Sequence, residues 1–191
     1  FKADNNSLPL PIELENTEAC PRYNGVTISN VIIGESPEWL KSRLTYIGLN
    51  PINHVVDINN FVLHETGHPL HAFDADKIAG GKVIIKTMPE NTPFVTLDGV
   101  NRKLAATDLM ICNTEKGMCI AGVFGGTESG ITATTSKVFL ESACFNPGFV
   151  RRTAKKHGLN TDASFRFERG ADIDVTVYAA KRAALLIKEV A

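Results

Sequence analysis

The segment from His64 to His71 reads HETGHPLH. Its first five residues fit HExxH, the pattern of zinc proteases in which two histidines one helical turn apart hold the metal. That chemistry needs both histidines on one face of one continuous helix. Here Gly67 precedes the second histidine and Pro69 follows it. Glycine is favoured in the left-handed turn that ends a helix, and a proline biases the residue before it away from helical angles. The spacing therefore predicts that the helix opened at Ile58 ends near Thr66, with His68 in the loop beyond. A metal could then be held only if His64, His68 and His71, or Glu141, converged through loop geometry, and no metal site is assigned.

Other side chains offer different chemistry. Glu141 sits at a strand end, where a carboxylate serves either as a hydrogen-bond acceptor or in a salt bridge. His71 carries an imidazole whose ordinary pKa suits proton transfer. Gly122, Gly125 and Gly126 in AGVFGG allow either close approach of backbone to a ligand or a tight turn. Arg151, Arg152, Lys155, Lys156 and His157 crowd one short helix, fit for phosphate contacts or for a solvated face. There is no G-x-S-x-G elbow, and Cys144 lies in an apolar setting, so no serine or cysteine is marked as a nucleophile.

These residues belong to a chain of 191, enough for one large domain or two small ones. It is 43% hydrophobic and 21% charged, with a formal net charge of −1. Such balance excludes a global basic field, so nucleic-acid contact has to come from a local patch. Cys20, Cys112, Cys119 and Cys144 show no CxxC spacing, which argues against a zinc knuckle or a disulfide framework. Reduced cysteines and the lack of a signal peptide or spanning apolar run point to the cytoplasm and away from membranes. The chain opens at Phe1 without Met and closes within a helical pattern, as expected of a piece of a longer protein.

The elements that must position these groups follow from pattern. Residues 1–18 read as a linker or extended arm, and 19–191 as the folded domain, with two intertwined subdomains as an option. Val26 to Ile33 is β-branched and predicts a strand. Ser36 as N-cap, Pro37 at the first position and Gly48 as stop predict a helix. Ile52 to Val56 predicts a short strand, with Asp57 capping the next helix. Further strands are expected at Val83 to Ile85 and Val138 to Glu141. Phe94 to Leu97 with the segment after Asp98-Gly99 predicts a hairpin, and so do Leu109 to Cys112 and Met118 to Ala121. Asn146-Pro147 opens a helix that stops near Gly158. Asp172 or Asp174 opens the last, with Val175, Tyr178, Arg182, Leu185 and Leu186 as its stripe. The fold class expected is α+β, a mostly antiparallel, sandwich-like sheet core flanked by helices.

Several motifs together carry a family resemblance. VDINNFVLHETGHPLHAFD (Val56 to Asp74), AGVFGG, LESACFNP (Leu140 to Pro147), RRTAKKHG (Arg151 to Gly158) and TDASFRFERG (Thr161 to Gly170) occur in order. In this order they resemble the central editing domain of the beta subunit of bacterial phenylalanyl-tRNA synthetase, over roughly Cys20 to Ala191. The resemblance implies hydrolysis of tyrosine wrongly esterified to tRNA(Phe). A pocket shaped for phenylalanine rejects an added hydroxyl only about 10²-fold, so a second site is needed.

Residue by residue, the resemblance implies that Glu141 recognises the tyrosine hydroxyl. It makes His71 and Asn60 catalytic groups of the pocket, and Gly122, Thr161 and Ala163 lining positions. Asn59 stands where many relatives have threonine. Arg151, Arg152 and Lys155 become contacts for the tRNA acceptor end. Water would attack the aminoacyl ester, while the protein positions the groups and stabilises the oxyanion. The implied partners are tRNA(Phe) and the synthetase alpha subunit. ATP and magnesium belong to the whole synthetase, and this stretch needs no cofactor. A non-catalytic tRNA-docking or assembly module is the alternative, and a zinc metallopeptidase from HETGH a more remote one.

Overall fold

The computed structural model describes residues 2–4, 8 and 10–191; the remaining positions of the expected arm, 1, 5–7 and 9, lie outside them. Among the described residues, ten strands form three sheets. They are β1 (Ile12–Leu14), β2 (Arg22–Ser29), β3 (His71–Asp74), β4 (Val83–Thr87), β5 (Pro93–Val95), β6 (Asn101–Lys103), β7 (Leu109–Cys112), β8 (Gly117–Ile120), β9 (Phe124–Gly125) and β10 (Lys137–Cys144). The five-stranded sheet runs β1-β4-β7-β8-β9, the three-stranded one β2-β10-β3, and β5-β6 is a hairpin. All pairs are antiparallel except β1 with β4. The arm segment thus supplies an edge strand, and both predicted hairpins are present.

The three-stranded sheet is buried on both faces, because side chains alternate along a strand. Ala72, Val138 and Leu140 point to one side and pack with the helices α1 (Glu38–Tyr46), α2 (His54–Thr66) and α5 (Val175–Val190). Phe73, Phe139 and Ala143 point to the other and pack with Ile85, Ile111 and Ile120 of the five-stranded sheet. The architecture is α+β, with sheet on sheet and helices on the outer face. Helices α3 (Pro147–His157) and α4 (Asp162–Phe167) pack at one end through Val150, Ala154 and Phe167.

Helix α3 follows its sequence signals closely. Asn146 caps it by accepting the Gly148 N–H, Pro147 is the first residue, and Gly158 closes it at φ 63°. Helix α2 ends as predicted, at Thr66, with Gly67 left-handed at φ 74° and its N–H bonded to the Leu63 carbonyl. Its start corrects the sequence reading. Asn53 is the cap, accepting from Val55 and Val56 N–H at 3.1 Å each, so 52–56 is loop and first helical turn, without a strand. Asp57 instead accepts the Ser36 hydroxyl at 2.5 Å and the Ile52 N–H at 2.9 Å. Ser36 therefore does not cap α1, which starts after Pro37. Two capping residues separated in sequence found each other, a tertiary bond replacing two local ones.

The face of α5 is corrected in part: Leu186 is buried and Val175 packs on the core as expected. Ala179, Ala180, Ala183 and Ala184 are buried, while Tyr178 and Leu185 are 59% and 48% exposed. Small side chains let the helix lie close on α2 and the sheet. Arg182 forms a two-pronged bond to Glu65 of α2, at 2.9 and 3.0 Å.

Candidate functional site

Glu141 lies in the middle of the central strand β10, between the two sheets. In register it faces His71 of β3 on one side and Gly25 of β2 on the other. Opposed residues in an antiparallel pair have Cα atoms about 5 Å apart. The structure therefore brings the two residues together side by side. Glu141 is only 5% exposed. Its Oε2 accepts a hydrogen bond from the Tyr23 hydroxyl at 2.6 Å. Burial pushes the carboxyl pKa up to about 8, against a smaller downward pull from Tyr23. At neutral pH Glu141 is therefore mostly a neutral acid, able to donate as well as accept.

His71 is half-buried. Its ring meets Phe73 edge to face at 4.5 Å, and burial lowers its pKa to about 4. That departs from the ordinary value assumed in the sequence reading. A neutral imidazole of this kind is a weak general base near pH 7, better suited to orienting a water or an ester. Beyond it runs the 121–126 loop. A Cβ on Gly125 would lie 3.0 Å from His71 Cε1 and 2.9 Å from Leu97 Cδ1. Glycine here is what lets the loop sit against the imidazole. Leu97, 51% exposed, covers the outside. Its N–H donates to the Gly125 carbonyl at 2.9 Å, tying the β5–β6 hairpin to the site.

Thr161 joins the same loop: its hydroxyl donates to the Val123 carbonyl at 2.9 Å. It also caps α4 through a capping box with Ser164. Ala163 is half-buried on that short helix, against the inter-sheet core. Gly122, at φ 67°, backs onto core: a Cβ there would lie 2.8 Å from Phe145 Cδ2. Its role is a left-handed turn under close packing, and Gly125 is the glycine that touches His71.

Asn59 and Asn60 sit apart, on α2. Asn59 is buried and its Oδ1 has no hydrogen-bond partner among the described residues; Asn60 is half-buried. No hydrogen bond joins either to Glu141 or His71 among those residues. The basic residues are elsewhere again, on α3. Arg151 donates to the Glu168 carbonyl at 2.6 Å, Arg152 lies 4.7 Å over the Phe149 ring, and Lys155 is exposed. Arg166 pairs with Asp162 and Arg169 with Glu168, so both brace the α4 segment.

In the HETGH stretch, His64 is exposed on the helix, 3.4 Å from Arg166 Nη2. His68 is 1% exposed, edge-on to Phe167 at 6.0 Å, with neither ring nitrogen bonded among the described residues. No group of three His, Cys, Asp or Glu side chains is placed to hold a metal ion among the described residues. All four cysteines are free and buried.

Two large cavities, of about 770 and 760 Å³, lie under the β5–β6 hairpin and between β2 and α5. Neither is lined by Glu141 or His71. No motif marked Tyr23, which the structure places against Glu141. Strand parity alone could have placed it on the Glu141 face, once the β2–β10 register was known.

The opposed pKa shifts predict a pH dependence of stability. Glu141 holds its proton more tightly folded than unfolded, so its contribution is lost as pH rises from 4.5 to about 8. His68 and His71, both lowered to about 4, lose theirs as pH falls below 6.5. Between pH 6.5 and about 8 only Glu141 among these three changes. The unfolding temperature of the chain is expected to fall across that window, and to fall less for Glu141→Gln, which mimics the neutral acid. Parallel declines in scanning calorimetry would refute this assignment.

The chain falls in a known class. The B3/4 domain family matches residues 19–191, and the chain belongs to that family. Along its whole length it is 62% identical to the phenylalanine–tRNA ligase beta subunit of Bacteroides fragilis, and 60% identical to that of Bacteroides thetaiotaomicron. The chain spans 23% of the length of each. Its fold is also similar to an N-terminal fragment of the phenylalanyl-tRNA synthetase beta subunit from Pyrococcus horikoshii. There the TM-score is 0.50 at 12% identity, covering 69% of this chain and 42% of that one. No helix among the described residues is long and apolar enough to cross a membrane.

Proposed function

We propose that this chain is part of a phenylalanine–tRNA ligase beta subunit and that it hydrolyses tyrosine from mischarged tRNA(Phe). The observation that carries the reading is the pair Glu141 and His71, side by side with the carboxyl buried, and the Gly125 backbone against the imidazole. A buried carboxyl is the kind of group that tells tyrosine from phenylalanine. A ring without a hydroxyl would leave Oε1 of Glu141 unpaired, and that penalty lets the correct product escape. His71 orients water or the ester, and Thr161 holds the 121–126 loop against α4. Leu97, against Gly125, is the outermost side chain that a ring entering beside His71 would meet. Gly122 supports the pocket through the loop's shape, while Asn59 and Asn60, on α2, act only through the packing of that helix.

In the complete enzyme the alpha subunit is the partner, and ATP and magnesium serve that assembly. The exposed basic face of α3, with Arg151, Arg152 and Lys155, meets the tRNA acceptor end in the cytoplasm. That face is also what a non-catalytic docking module would use. Deacylation of Tyr-tRNA and Phe-tRNA by the parent and by His71 and Glu141 variants decides between the two: a docking module binds tRNA and leaves both esters intact.

Ala163→Trp probes the lining independently. It adds a large ring beside the loop, and tyrosine removal is expected to drop at least about tenfold with folding retained by circular dichroism. Normal deacylation by that variant would take Ala163 out of the pocket.

A further inference from the structure

Tyr23 lies outside every motif of the site, yet among the described residues it is the hydrogen-bond partner of the Glu141 carboxyl, at 2.6 Å. The strand register explains why it reaches. Gly25 is the residue directly across from Glu141 on β2, and it carries no side chain. The Phe139 ring fills that place, with carbons 2.4 Å from where a Cβ would stand. Tyr23 is two residues along on the same face, paired with Ala143. This diagonal spacing is within reach of an aromatic side chain. Its ring packs against the inter-sheet core, so the hydroxyl arrives from a fixed direction.

Resting on the function proposed above, we propose that Tyr23 is a positioning residue: its phenol ties down Oε2 of Glu141, so that Oε1 is the oxygen that meets the substrate's ring hydroxyl. A carboxyl with both oxygens free could turn, and either could carry the proton. With Oε2 held as an acceptor, the proton of the neutral acid resides on Oε1, which then donates to the ligand; when ionised, Oε1 accepts.

The tie also acts on ionisation. Tyr23 favours the charged form and opposes the burial that raises the Glu141 pKa. The other titratable groups around the carboxyl are Cys20 before β2, Cys119 on β8 and His71 on β3. Burial lifts both thiols, and Tyr23 itself, above their ordinary values and keeps His71 neutral. In the neutral range Glu141 is thus the group that changes charge.

The test uses the complete synthetase in four forms: parent, Glu141→Ala, Tyr23→Phe, and 3-fluorotyrosine at position 23. Hydrolysis of Tyr-tRNA and Phe-tRNA is followed across the neutral and alkaline range. Tyr23→Phe is expected to lower the preference for the tyrosyl ester about tenfold, the loss of one bond to a chargeable group. It should also move the Glu141-dependent limb to higher pH. Fluorotyrosine, a stronger donor of the same shape, should move that limb to lower pH, and it decides the matter alone should Tyr23→Phe fail to fold. If Glu141→Ala loses selectivity while both Tyr23 forms keep the parent ratio and limb, the positioning role is wrong and the hydrolytic reading stands. If the parent releases no tyrosine, both fall.

Discussion

Glu141→Ala is expected to reduce the preference for Tyr-tRNA over Phe-tRNA by about 10–100-fold, the range for losing one hydrogen bond to a chargeable group. The loss should fall on the tyrosyl ester, since a phenylalanyl ring makes no use of the carboxyl. Glu141→Gln separates recognition from charge. Burial keeps the native acid mostly neutral near pH 7, with its pKa at about 8. The amide, which donates and accepts in the same plane, is therefore expected to retain most of the selectivity at neutral pH. It should also lose the alkaline dependence that the parent shows. The two substitutions differ in stability as well. Alanine leaves the Tyr23 hydroxyl without its partner, about 1–3 kcal/mol for a buried group, while glutamine keeps that bond. Steady-state deacylation on both esters, with calorimetry on the same preparations, checks all of this. An unchanged ester ratio in Glu141→Ala would remove Glu141 from recognition.

How far this site could be read in advance depended on the range of the forces involved. Helix α3 was legible because Asn146, Pro147 and Gly158 act within one turn of themselves. The end of α2 was legible for the same reason: Gly67 and Pro69 rule locally, and that alone separated His68 from His64. The start of α2 was not, because Asn53 and Asp57 are both good caps and only the distant Ser36 hydroxyl decides between them. Strand β3 escaped notice because four residues, HAFD, hold little pattern; they are a strand only because β10 lies alongside. On α5 Leu186 and Val175 face the core as expected, but the alanines are buried and Tyr178 and Leu185 exposed, so apolarity alone placed only part of the face. Motif order named Glu141 and His71, and the β3–β10 register sets them side by side. Their altered pKa values and Tyr23 were not legible, since these arise from burial between two sheets.

Asp108→Ala is expected to be the most costly single change for the fold, about 3–5 kcal/mol. Asp108 is 1% exposed, in the turn between β6 and β7. Its Oδ1 accepts the Thr153 hydroxyl at 2.8 Å. Its Oδ2 meets the Ala105 N–H at 2.8 Å and His157 Nε2 at 2.7 Å. Thr153 and His157 both belong to α3, and Arg102 adds a bond to the His157 carbonyl at 2.8 Å. One carboxylate therefore pins the inner face of the helix whose outer face carries Arg151, Arg152 and Lys155. Removing it strands a hydroxyl, an amide and an imidazole in the core, each costing part of its lost hydration. For a chain this size each kcal/mol is worth about 2–4 °C in melting temperature, so a drop on the order of 10 °C is expected. Asp108→Asn keeps one acceptor, its carbonyl towards the Ala105 N–H and His157 and its amide N–H donating to the Thr153 hydroxyl, and should lose much less. If α3 docks the tRNA, loosening it should also weaken binding without reducing its salt dependence, because the cations remain. Arg152→Ala with Lys155→Ala should do the opposite, flattening the salt slope with little change in melting. A melting curve for Asp108→Ala that matches the parent would mean that α3 is held by its apolar contacts alone.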